Sequence, residues 1–129
     1  MAEIVHYPGR YPGKIYLGTK PGREGVLVCQ RGTYRLLDLR LDLANHSPGG
    51  FAWGYEGSGC AQLALAILAD ALQDDARALA IYQHFKSAIL AKLAGDSPFN
   101  LTYDPIALAV ARMEDLAAVE ARKTREARR

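Results

Sequence analysis

The sequence predicts an α+β domain, with a small antiparallel sheet of about three strands in residues 14–38 packed on three helices at about 60–73, 75–94 and 105–122. Three observations carry this. The 12 glycines and 6 prolines concentrate before Gly59, so the front is turn-rich. Short β-branched runs in that front are separated by turn residues. Three longer stretches with helical apolar spacing follow. At 129 residues, half of them hydrophobic and 23% charged, the chain has the size and composition of one globular domain, residues 1–129.

The elements follow in order. Tyr-Pro-Gly occurs at Tyr7–Gly9 and again at Tyr11–Gly13, and each copy reads as a turn. Residues 1–13 are therefore a turn-rich lead-in. "KIYLG", Lys14–Gly18, is the first strand. "GVLVCQRGTYRLLDLR" reads as a hairpin, in which Val26 and Val28 alternate with Leu27 and Cys29 and Arg31-Gly32 forms the turn. One face of this sheet needs cover, and the later helices supply it. "DLANHSPGG" is a connecting loop. Phe51, Trp53 and Tyr55 then fall at alternate positions, so an extended chain projects all three from one side.

The first helix is apolar nearly all round, with Leu63, Leu65, Ile67, Leu68 and Leu72, and Ser58 or Gly59 is expected to cap it. That pattern marks the central, buried helix. The second starts at Asp74-Asp75, presents Ala78, Tyr82, Phe85, Ile89 and Leu93 on one face, and is expected to end at Gly95. Phe99 and Leu101 alternate and allow a brief edge strand. Asp104 and Pro105 are expected to open the third helix, whose stripe is Ile106, Val110, Met113 and Ala117. Beyond Val119 apolar residues thin out, and residues 120–129 form a basic helical tail.

Charge is uneven along the chain. Residues 1–40 hold seven Lys/Arg against three Asp/Glu, residues 41–119 four against nine, and residues 120–129 five against two. A basic front and tail flank an acidic middle, which suits charged partners of either sign. No apolar run is long enough to span a bilayer, and the N-terminus lacks a signal-peptide pattern, so a cytoplasmic location is expected. Cys29 and Cys60 have no metal-ligand spacing, and His6, His46 and His84 have no ligand-like neighbours, so neither metal nor cofactor is expected.

"GYEGSGC", Gly54–Cys60, is the most suggestive stretch. Glycines at a helix start let an anion approach the backbone amides. The stretch lacks the P-loop lysine, however, and Glu56 adds a like charge beside any phosphate. A nucleotide or small-anion site at Gly57–Cys60 is thus the third reading. Cys60 at a helix start with His46 offers a nucleophile and base, but no third group orients them, and no enzyme activity is expected.

The segment "NHSPGGFAWGYEGSGCAQLALAILAD", followed by "YQHFK", resembles a bacterial and phage domain family of unknown function with the pattern HSPxGFxWGYxGSGPAQLALAILAD…YQxFK. The matching positions are His46, Ser47, Pro48, Gly50, Phe51, Trp53, Gly54, Tyr55, Gly57, Ser58, Gly59, Ala61, Gln62, Leu63 and Asp70, then Tyr82, Phe85 and Lys86. The likeness covers roughly residues 14–105. It implies an α+β domain carried on mobile elements and no particular activity. Cys60 stands where the pattern has proline, and Glu56, at a variable position of the pattern, stands where glycine is usual.

The leading expectation is a non-enzymatic interaction protein of a phage or other mobile element, with an inhibitor of a bacterial CRISPR-type defence complex as the specific case the resemblance suggests. Its contacts would be Trp53, Tyr55, Glu56, Ser58 and His46, aided by Arg122, Lys123, Arg125, Arg128 and Arg129. The alternative is a nucleic-acid-binding module that uses the basic flanks and the exposed aromatics. Partners on these readings are a host or phage protein complex, nucleic acid or a second copy, and no membrane.

Overall fold

A computed structural model describes residues 14–95 and 97–128. The lead-in at 1–13, with His6, and the tail contact Arg129 lie outside the described residues. The fold is α+β, with four antiparallel strands: β1 Ile15–Gly18, β2 Val26–Gln30, β3 Thr33–Leu36 and β4 Phe99–Thr102. Three helices accompany them: α1 Ser58–Leu72, α2 Asp75–Ala88 and α3 Tyr103–Ala127. The strand order is β3-β2-β1-β4, so β3 and β4 are the edges.

The β2–β3 hairpin turns as expected. Arg31 (φ 53) and Gly32 (φ 76) both take positive φ, the requirement of a two-residue type I′ turn. The fourth strand comes from Phe99–Thr102, whose register sets Tyr16 opposite Leu101 and Gly18 opposite Phe99.

Helix α1 is the hub. Its residues Leu63 to Ile67 are completely buried, and Tyr16, Val26 and Val28 from the inner sheet face join the same core as Phe85 and Leu90. Burying each large side chain contributes about 1.5–3 kcal/mol, so an all-apolar helix at the centre is the main stabilising feature. Helix α2 adds Ala78, Ile81 and Phe85, and α3 adds Ile106, Val110 and Met113. Beyond Met113 the side chains of α3 are exposed or partly exposed, in line with the expected solvated tail.

Several boundaries differ from the sequence expectation. Gly57, in an extended conformation, is the N-cap of α1, and Ser58 is the first helical residue, not the cap. Helix α2 ends at Ala88 and passes into a 3₁₀ turn, Leu90–Lys92, rather than running to Gly95. The Leu90 carbonyl accepts from the Gly54 N–H at 2.9 Å, which holds this segment against the Trp53–Gly54 loop. Helix α3 opens at Tyr103 directly from β4, which leaves Pro105 in the first turn, where its missing N–H costs no hydrogen bond.

Candidate functional site

The 44–60 segment is built as a strap over α1. Gln62, fully buried, holds it at three points and ties it to Leu39. Its Oε1 accepts from the His46 N–H (2.8 Å) and the Ser47 N–H (3.1 Å), and its Nε2 donates to the Leu39 (2.6 Å) and Ala44 (3.0 Å) carbonyls. The Ser47 hydroxyl donates to the Gly50 carbonyl. His46 turns its Nε2 to the Tyr82 hydroxyl at 2.7 Å, which pins the strap to α2. Glycine at 50 is required here: it sits at φ 129, and a Cβ would lie 2.3 Å from the Gly22 carbonyl carbon.

Of the expected contact residues, Trp53 is corrected. It is 1% exposed, stacks edge-on against Phe99 at 4.7 Å, and donates its Nε1–H to the Ser97 carbonyl at 2.9 Å. Both the ring and its polar handle are satisfied inside, so Trp53 offers nothing to a partner. Tyr55 behaves differently. Gly54 adopts φ 87, the chain swings outward, and the Tyr55 ring rests on Gly57 with 56% of its surface exposed. Glu56 reaches Lys86 Nζ at 3.1 Å, and hydrogen bonds from Ser87 and Lys86 hold its carboxyl below the usual range. Ser58 is exposed beside it. The structure therefore brings Tyr55, Glu56 and Ser58 to one surface corner and places His46 in the strap. Arg122, Lys123, Arg125 and Arg128 lie on the exposed end of α3.

Cys60, at the start of α1, is poorly placed for nucleophilic chemistry. Cys60 is sealed in the core, and burial, then the Glu56 charge, pushes its thiol up to about 11. A thiol in that state is an inert packing group. Among the described residues, no cluster of His, Cys, Asp or Glu is arranged to hold a metal ion.

Two features lie outside the residues expected to form a site. The first surrounds Asp70, near the C-terminal end of α1. Its Oδ2 receives the Tyr16 hydroxyl (2.6 Å) and Lys14 Nζ (2.9 Å), and its Oδ1 receives Arg35 Nη2 (2.5 Å). Lys14 is 3% exposed. The network ties β1 and β3 to α1 and borders a cleft of about 290 Å³, lined also by Asp38, Arg40 and Gln73. Arg40 in turn faces Asp42 and Asp75. Both arginines of the cleft thus already face carboxylates, so the cleft is a clamp between elements.

The second is the outer face of the sheet. Ile15 and Leu17 of β1, Leu27 and Cys29 of β2, and Tyr34 and Leu36 of β3 share that face through the register Ile15↔Cys29↔Tyr34 and Leu17↔Leu27↔Leu36. None belongs to the core cluster or packs against it. Tyr34 and Leu36 are 61% and 50% exposed. The outer face of a single-layer antiparallel sheet is ordinarily polar; here three adjacent strands make it apolar. The sequence does contain a signal: "IYL", "VLVC" and "RLL" are apolar at both parities, the mark of strands seeking cover on two sides.

Among the described residues, no helix is long and apolar enough to cross a membrane. No curated protein and no solved structure matches the chain. Residues 16–114, which span the sheet, the strap, α1, α2 and the buried part of α3, match the Family of unknown function (DUF6166), and the chain belongs to that family.

Proposed function

We propose that this protein is a non-enzymatic interaction module that docks a partner protein on the outer face of its sheet. The observation that carries the reading is the apolar row Ile15, Leu17, Leu27, Cys29, Tyr34 and Leu36, which lies outside the core. Tyr34 and Leu36 are exposed and Ile15, Leu17, Leu27 and Cys29 half-buried, and apolar surface outside a core marks interaction sites, where aromatic residues such as Tyr34 are enriched. The strand ends carry Lys20 and Arg23 in the β1–β2 loop and Arg31 in the β2–β3 turn, all exposed. The fitting partner is a protein whose apolar patch is bordered by acidic side chains.

Tyr55 at the strap corner is a proposed second contact, supported by its exposure. The resemblance to a phage-borne family extends the proposal to a host protein as partner, a CRISPR-type defence complex being the specific case. The nucleic-acid reading has less support, because Trp53 is unavailable for stacking and Glu120 and Glu126 interrupt the basic end of α3.

The test compares the parent with Leu17→Lys/Leu27→Lys, both on the solvent side, in capture from host lysate read by mass spectrometry and in binding of an apolar dye. The expected result is a folded variant that loses both the dye and a partner held by the parent. A folded variant that keeps every partner, or a parent that captures nothing above a bead control, overturns the reading.

A further inference from the structure

We infer that β3 pairs antiparallel with β3 of a second copy of this chain, about a two-fold axis at Arg35. The inference rests on the docking reading above, because such pairing joins two outer sheet faces into one platform.

The backbone supplies the first argument. Hydrogen-bonded and non-bonded pairs alternate along an antiparallel ladder. The Leu37 N–H donates to the Val26 carbonyl at 2.9 Å, so Val26–Leu37 is a bonded pair. Counting back along the register, Arg35 with Val28 and Thr33 with Gln30 are bonded pairs too. The N–H and C=O groups of Tyr34 and Leu36 therefore point away from β2, toward the open edge. No backbone or side-chain partner meets them among the described residues. The two residues with open backbone groups are also those with the most exposed apolar side chains on the sheet.

The register supplies the second. A two-fold at Arg35 places Tyr34 opposite Leu36 of the second copy, and Leu36 opposite its Tyr34. All four open backbone pairs are then used, and ring meets aliphatic chain across the seam on the outer face. The same register sets Gly32 opposite Asp38 and Arg31 opposite Leu39. The exposed Arg31 of each copy thus arrives beside the exposed Asp38 of the other. Beside the end of β3 lies a groove of about 750 Å³ lined by leucines 36, 37, 39 and 41, with Glu24, Asp38 and Asp42 against one cation, Arg23, so it is acidic on balance. An arginine-tipped turn suits that groove in shape and charge. Arg35 meets Arg35 across the axis, and that like-charge contact is softened because each guanidinium is held inward by its own Asp70.

Sedimentation velocity across a concentration series tests the pairing. The parent is expected to form a dimer. Leu36→Pro removes an N–H that bonds to nothing within the monomer, and is expected to leave a folded monomer. Because that variant can fail to fold, a charge swap provides the second measurement. Arg31→Glu and Asp38→Arg should each weaken the dimer about tenfold, and the double variant should return it to within about threefold of the parent. A parent that stays monomeric up to about 1 mM, or a dimer indifferent to the charge swap, overturns the inference. A monomeric parent whose capture is still lost in Leu17→Lys/Leu27→Lys removes only the pairing; a dimer whose partners survive that variant removes only the docking reading.

Discussion

The Tyr16 hydroxyl donates a 2.6 Å hydrogen bond to Asp70 Oδ2, and this contact joins the central strand β1 to the hub helix α1 across 54 residues of sequence. Burial alone would push the Asp70 carboxyl up, but the hydrogen bonds from Tyr16, Lys14 and Arg35 outweigh it and hold the group below its ordinary value of 3.8. A folded-state value below the unfolded one contributes stability that is present above pH 3.8 and is lost as pH falls through the folded value. Urea unfolding followed from about pH 6 to about pH 2 should show a steeper acid loss for the parent than for Asp70→Asn. At neutral pH that variant removes the carboxylate charge that Tyr16, Lys14 and Arg35 meet and should cost about 1–3 kcal/mol. Equal acid slopes would show that the network contributes no linkage.

Tyr16 gives the complementary alkaline signature. Burial, and then the charge of Asp70, raises its phenol above the ordinary value of 10.0. A raised acid is protonated in both states below pH 10.0, so its contribution is fully present there and is lost as pH rises further. Tyr16→Phe should flatten the alkaline limb of the stability profile, at the expense of one hydrogen bond, about 1 kcal/mol, at neutral pH. An unchanged alkaline limb would assign that loss to other groups.

Gln62 should be the most sensitive polar position in the core. Gln62→Leu keeps roughly the volume but leaves two N–H groups and one carbonyl of the strap, and the Leu39 carbonyl, without their partner. With about 1–3 kcal/mol for each stranded group, partly relieved by water, the expected loss is about 3 kcal/mol. Hydrogen exchange at the His46 and Ser47 amides should accelerate by more than the global change in stability. Exchange that follows global unfolding alone would mean that the strap is held by its other contacts.

The helices were largely legible because their apolar spacing is local. The all-round burial of α1 followed from "LALAILADAL", and the start of α2 followed from Asp74-Asp75 before the stripe; of the two it is Asp74 whose side chain accepts from the Arg77 N–H. Trp53 was not legible. Alternation puts it on the same side as Tyr55 only while the chain stays extended, and positive φ at Gly54 turns that chain. Its cover comes from Ser97 and Phe99, 44 and 46 positions later. The end of α2 was hidden for a similar reason: Ile89 and Leu93 continue the stripe, but the Leu90 carbonyl is claimed by Gly54. The Asp70 network draws on Lys14 and Arg35, 56 and 35 positions before it, a separation that no local pattern joins.

The two thiols should separate cleanly. Cys60 is fully buried with its thiol pushed up to about 11, whereas Cys29 lies partly exposed on the outer sheet face. A thiol reagent at about pH 8 should modify one cysteine in the native protein and two in denaturant. Cys29→Ala should abolish the native reaction. Rapid native labelling of Cys60 would contradict the packing of α1 described above.

Adjacent glycines in the strap give the sharpest test of its geometry. A Cβ at Gly49 meets nothing within 4 Å, so Gly49→Ala should change stability by no more than about 0.5 kcal/mol. At Gly50 the same methyl lies 2.3 Å from one backbone atom of the Gly22–Arg23 peptide and 2.4 Å from another, at φ 129. Neither atom belongs to a side chain that can step aside. The Gly22–Phe51 bridge, with bonds of 2.8 and 3.1 Å in both directions, would have to open. Gly50→Ala should therefore cost about 3 kcal/mol or more, from strain and two lost hydrogen bonds together. Thermal or urea unfolding of the two variants side by side decides it. If both behave alike, the strap does not cross the β1–β2 loop as described, and Phe51 owes its burial to other contacts.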